Sequence, residues 1–136
     1  MPENRFIRPD ARRRLCIALV TETYPPEVNG VAMTLGRFVE GLIRRGHSVQ
    51  LVRPRQHAAD IAAEGCAFSE ILVRGVAVPR YAGLQLGLPA RAALMRAWTL
   101  RRPDIVHVAT EGPLGWSAVT AARALQLPVS SGFHTN

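Results

Sequence analysis

Uninterrupted apolar runs alternate with longer amphipathic stretches along this chain, and the alternation predicts a series of strands and helices. Residues 15–20, Leu-Cys-Ile-Ala-Leu-Val, are apolar throughout, as expected of a parallel strand covered by helices on both faces. Val31, Leu35, Phe38, Val39, Leu42 and Ile43 then recur at helical spacing, with Arg37, Glu40, Arg44 and Arg45 outside the stripe and Gly46 as the C-cap. Residues 48–52 read as a second strand stopped by Pro54, and residues 70–74 as a third. Between them, 55–69 is poorly patterned, and only 58–64 offers a short surface helix. The glycines and prolines of 75–88 predict a long loop. Pro89 opens a helix to Leu100 that Arg101, Arg102 and Pro103 end, and residues 104–108 form a fourth strand. A third helix starts at Pro113, where Leu114, Ser117, Ala118, Ala121, Ala122 and Leu125 make a small-residue face able to lie close on a sheet. Residues 128–131 give the fifth strand.

Strands alternating with helices imply right-handed crossovers and an α/β, Rossmann-like doubly wound parallel sheet. Ligands of such sheets bind beyond the carboxyl ends of the strands, where the strand order reverses. Segments 21–30, 109–113 and 132–136 meet that description. The first holds two prolines, Glu22, Glu27 and Asn29-Gly30 just before a helix. Unpaired N–H groups and the positive dipole end of that helix favour an anion, and glycine admits close approach. The same Asn-Gly also serves as a cap and turn, and there is no GxGxxG or Walker sequence. The titratable groups at strand ends are Glu22, Glu27, Glu111 and His134. His107 reads as a satisfied core histidine, while His47 and His57 are expected to be exposed without a role.

Composition narrows these readings. The chain has 136 residues, 48% of them apolar, enough for one core, and its net charge of +7 comes from 17 arginines and no lysine. Arg5, Arg8, Arg12, Arg13 and Arg14 mark residues 1–14 as a basic arm ahead of a domain over 15–136. The longest apolar run is six residues, far below the roughly 18 a membrane span needs, and no secretory signal is recognisable. Cys16 and Cys66 have neither disulfide-framework nor zinc spacing. A soluble cytoplasmic chain is expected. A stand-alone phosphate- or nucleic-acid-binding module would account for the arginine, but it lacks interleaved aromatics, so no nucleic-acid partner is expected. A non-catalytic interaction domain on the same scaffold is the other alternative.

The order of segments closely resembles the N-terminal domain of glycosyltransferase family 4, the retaining GT-B enzymes, and its mannosyltransferase-like members in particular. The resemblance is carried by Ile17-Ala-Leu-Val-Thr-Glu-Thr-Tyr-Pro-Pro-Glu-Val-Asn-Gly-Val31, by Arg45-Gly-His-Ser-Val49, by Arg102-Pro-Asp-Ile-Val-His-Val-Ala-Thr-Glu-Gly-Pro-Leu-Gly-Trp116 and by Ser131-Gly-Phe-His-Thr-Asn136. It implies transfer of a hexose, mannose foremost, from a nucleotide-diphosphate sugar to a lipid or glycan acceptor. GDP-mannose is the first donor to test and UDP-sugars the next. By the same resemblance, Asn29, Gly30 and Val31 face the donor, Glu111 and Gly112 line the cleft, and His134 contacts the donor sugar as the catalytic-site residue. Many relatives carry Gly-Gly where this chain has Asn29-Gly30. No metal or other cofactor is implied. Tyr81, in the 81–88 loop, and Arg91 are acceptor-side candidates. Arg91 shares a helical face with Leu94, Met95 and Trp98, which fits either an arginine lying over ordinary core or a face resting on a membrane surface. Similar enzymes carry a second, nucleotide-sugar Rossmann domain that is absent here. The chain is therefore expected to be an incomplete N-terminal domain, inactive alone and dependent on that missing partner domain.

Overall fold

The computed structural model describes residues 14–22, 30–55, 61–77, 85–87, 90–110 and 112–132. Its elements are β1 (Cys16–Val20), α1 (Gly30–Arg44), β2 (Ser48–Pro54), β3 (Phe68–Val73), β4 (Gly75–Ala77), β5 (Gln85–Gly87), α2 (Arg91–Leu100), β6 (Ile105–Val108), α3 (Pro113–Ala124) and β7 (Val129–Ser131). Five of the strands form one parallel sheet in the order β3-β2-β1-β6-β7. The chain thus winds outward in one direction from β1 and in the other from β6, which is the doubly wound architecture predicted. No helix among the described residues is long and apolar enough to cross a membrane.

Each sheet face has its own core. Leu19, Val49 and Leu51 point to α1 and pack with Leu35 and Val39. Ala18, Val20, Val106 and Val108 point the other way, to Leu94 and Trp98 of α2 and to Leu114, Ala118, Ala121 and Ala122 of α3. This two-sided burial is why the strands read as continuous apolar runs. The small face of α3 lets it sit close: a Cβ on Gly115 would lie 2.9 Å from both the Thr110 carbonyl oxygen and Val108 Cγ1.

Helix α1 ends as predicted, with Gly46 at φ +91°. Gly46 N–H donates to the Ile43 carbonyl at 3.0 Å and His47 N–H to the Leu42 carbonyl at 3.1 Å, a Schellman arrangement. That turn folds His47 back, so it is half-buried rather than exposed, and its Nδ1 accepts the Leu15 N–H at 3.1 Å. His107 is half-buried, hydrogen-bonded to Ser130 Oγ at 2.7 Å, and its ring lies 6.0 Å from that of Phe38. Phe38, placed in the apolar stripe of α1, remains 40% exposed.

Other expectations need correction. Strand β2 runs through Pro54 instead of stopping before it, because the proline is its last residue and the next N–H, from Arg55, continues to the Val73 carbonyl at 2.9 Å. Residues 75–77 and 85–87 are not loop but a two-stranded antiparallel ladder whose strand β5 packs against β2 and α3. Of the helix suggested over 58–64, the described part, 61–64, is not helical. Instead Ala63 N–H donates to Glu70 Oε1 at 2.9 Å, and Glu70 Oε2 holds Arg53 Nε at 2.8 Å in a buried ion pair. Cys16 is half-buried and Cys66 exposed, both as free thiols. The 1–14 arm, apart from Arg14, and His57 lie outside the described residues.

Candidate functional site

The site is built where β1 and β6 end side by side. Helix α1 lies on one face of the sheet and α3 on the other, so the ends of β1 and β6 mark the switch point, where ligands of such sheets bind. Two short bonds carry the sheet a step further, from Thr21 N–H to the Val52 carbonyl at 3.0 Å and from Ala109 N–H to the Val20 carbonyl at 2.8 Å. Beyond them the two loops are tied by side chains. Glu22 N–H donates to Thr110 Oγ1 at 2.8 Å, and Leu114 N–H donates to Glu22 Oε2 at 3.2 Å. Glu22 is 8% exposed.

A glycine stands at the start of each of the two helices that follow β1 and β6. Gly30 is exposed at the first position of α1, and a Cβ added there would meet nothing within 4 Å. Gly112 is the N-cap of α3, supplies no side-chain cap, and has no room for a Cβ, which would lie 2.6 Å from Glu22 Oε2. Pro113 follows at the first turn and brings no N–H, so the carboxylate meets the first α3 donor available, that of Leu114. A carboxylate at this position satisfies an orphan N–H and sits at the positive end of the helix dipole.

Alongside α3 lies an open groove of about 370 Å³, lined among others by Thr110, Gly112, Trp116, Val119 and Ser131. Trp116 is 75% exposed at its edge.

Of the residues singled out in the sequence, Gly112 lines the groove, whereas Gly30 and Val31 open α1 on the other face of the sheet. The Val31 side chain packs against the core beneath α1. Asn29, Glu111, His134 and Tyr81 lie outside the described residues. Arg91 is exposed in the first turn of α2, whereas Leu94 and Trp98 are fully buried and Met95 half-buried. The apolar stripe beneath Arg91 is therefore core, with the Trp98 indole N–H donating to Gln50 Oε1 at 2.6 Å. The sequence marks Glu22 as a titratable group at a strand end and gives Thr110 no role of its own. The visible signal is a Thr-Glu pair close behind each of two strands, Thr21-Glu22 directly after β1 and Thr110-Glu111 one residue beyond β6.

A doubly wound sheet with two glycine-started helices at its switch point belongs to the Rossmann-like class of α/β domains. The Glycosyltransferase Family 4 profile matches residues 28–136, and the chain belongs to that family. It is 32% identical over 124 residues to a GDP-mannose-dependent alpha-mannosyltransferase of Mycolicibacterium smegmatis, covering 88% of this chain and 32% of that protein. A protein of the same name from Corynebacterium glutamicum is 33% identical over 129 residues, covering 91% of this chain and 30% of the relative. The alpha-monoglucosyldiacylglycerol synthase of Streptococcus pneumoniae is 27% identical, covering 88% of the chain and 26% of the enzyme. The chain thus spans about a third of the length of these relatives or less. Among solved structures, sucrose-phosphate synthase from Thermosynechococcus elongatus superposes with a TM-score of 0.62 over 90% of this chain and 33% of its own. At 13% identity that likeness speaks for the fold alone.

Proposed function

We propose that this chain is the acceptor-side domain of a retaining mannosyltransferase that uses GDP-mannose. The observation that carries the reading is the 32–33% identity, across about nine-tenths of the chain, to proteins named for that donor. The switch point supports it chemically. Backbone N–H groups at the start of α1, around Asn29, Gly30 and Val31, stabilise the charge that grows on the diphosphate as it leaves. Glu111 and Gly112 are proposed as cleft-lining residues and His134 as the contact to the donor sugar. The leaving group departs from the face at which the acceptor arrives, which retains the anomeric configuration, and helix and side-chain charge take the place of a metal ion. The acceptor is a lipid or glycan received near Tyr81 and Arg91. Peripheral contact with the inner face of a membrane is proposed through the charge of exposed Arg91 and not through the apolar face of α2, which is core. A second Rossmann domain supplies the remaining donor contacts, and the 136-residue chain alone is expected to transfer no sugar.

Titration of the isotopically labelled chain with GDP-mannose and with UDP-glucose tests the reading. Selective amide shifts at residues 30–32 with GDP-mannose support it. Equal responses to both nucleotides, or none, contradict it.

A further inference from the structure

We infer that Glu22 is a positioning residue: from the end of β1 it holds the start of α3, and with it Thr110 and Gly112, in the place where the donor is proposed to meet the chain. The inference rests on the donor reading above and adds a residue to it.

Most helices receive their N-terminal acceptor from the residue at the cap itself. Here the cap is Gly112, which has no side chain to offer, and the acceptor arrives from 92 positions away in the chain. A carboxylate as buried as that of Glu22 is costly unless it is hydrogen-bonded, and the Leu114 N–H together with the dipole of α3 meets that need. The same residue binds twice across the switch point, because its own N–H donates to Thr110 Oγ1 at 2.8 Å. The two contacts bracket Gly112, whose missing Cβ leaves the space that Glu22 Oε2 occupies. A local Ser or Asp cap would have ended α3 equally well. It would not have tied the loop after β6 to Glu22, beyond Val20 and Val108, the last β1–β6 ladder pair among the described residues.

The test compares Glu22→Ala with Glu22→Gln in the whole chain, reading Leu114 amide hydrogen exchange and GDP-mannose affinity together. Alanine removes the acceptor; glutamine keeps a carbonyl oxygen at the same reach without the charge. Glu22→Ala is expected to speed Leu114 exchange and weaken GDP-mannose binding about tenfold, on the order of one lost charge-assisted hydrogen bond. Glu22→Gln is expected to restore both to within about twofold, since its oxygen still accepts. Should Glu22→Ala fail to fold, Thr110→Val removes the other half of the link with little change of shape and is read in the same way. Faster exchange with unchanged affinity would make the contact a structural cap only and overturn the inference. A Gln variant that binds as poorly as the Ala variant would overturn it in favour of direct contact between charge and ligand. A wild-type chain that does not bind GDP-mannose contradicts the donor reading itself, whereas wild-type binding that Glu22→Ala leaves intact overturns only the role of Glu22.

Discussion

Replacing Gly112 by alanine asks whether the knot around Glu22 is as tight as its distances indicate. The added Cβ would lie 2.6 Å from Glu22 Oε2, 3.1 Å from Cδ and 3.3 Å from Cγ. A carboxylate ends a flexible side chain, so the overlap alone is cheap to relieve. The cost comes from what the carboxylate holds: retreating to ordinary contact lengthens its 3.2 Å bond from Leu114 N–H past hydrogen-bonding distance. A hydrogen bond to a charged group is worth about 1.5–3 kcal/mol, and the alanine returns about 0.4–1 kcal/mol by restricting the unfolded chain. The extended backbone of Gly112, at φ 161°, adds no strain of its own. The net loss is about 1–2 kcal/mol, or roughly 3–8 °C in Tm for a chain of this size. Thermal and urea unfolding of Gly112→Ala, Glu22→Ala and the double variant measure it. In the Glu22→Ala background the substitution should be neutral or slightly stabilising, giving a coupling of about 1 kcal/mol or more. Equal losses in both backgrounds would refute the reasoning.

Three further substitutions probe how the rest of the fold supports the switch point. Gln50→Leu strips the buried Trp98 indole of its 2.6 Å acceptor and should cost about 1–3 kcal/mol in urea unfolding, part of which adding Trp98→Phe recovers. Glu70→Ala leaves Arg53, its buried partner at 2.8 Å, without this counter-charge and should cost about 3–5 kcal/mol, while Arg53→Met with Glu70→Leu should lie closer to wild type. Gln126 sits at φ 59° just past α3, where glycine is at ease, so Gln126→Gly should raise stability by about 0.5–1 kcal/mol in thermal unfolding.

The main sheet was legible in the sequence because its strands are buried on both faces and its helices carry clear stripes. Gly46 could be read as a cap because its role is local: a helix stripe ends and a residue free to take positive φ follows. The β4–β5 ladder escaped notice because three-residue strands are too short to show a period of two, and their own glycines, Gly75 and Gly87, read as punctuation. His47 was misread because its burial depends on Leu15, 32 positions earlier, and not on its neighbours. Glu22 shows the limit most clearly. As a carboxylate after a strand it looks solvated, and only the register of β1 beside β6 brings it to Thr110 and Leu114. Arg91 marks the opposite case, where a mixed face suggested two readings and the burial of Leu94 and Trp98 selects core.

The proposed approach of the donor to the backbone at the start of α1 is tested most directly at Gly30. A Cβ there meets nothing within 4 Å, so Gly30→Ala and Gly30→Val should fold as the wild type does, and any effect on ligand binding reports the ligand's own approach. Calorimetric titration with GDP-mannose should show affinity falling in the order Gly, Ala, Val, with Tm within about 2 °C of wild type for Ala, as expected of an uncrowded helix position. Wild-type affinity in the Gly30→Val chain would contradict the claim and move the donor away from α1.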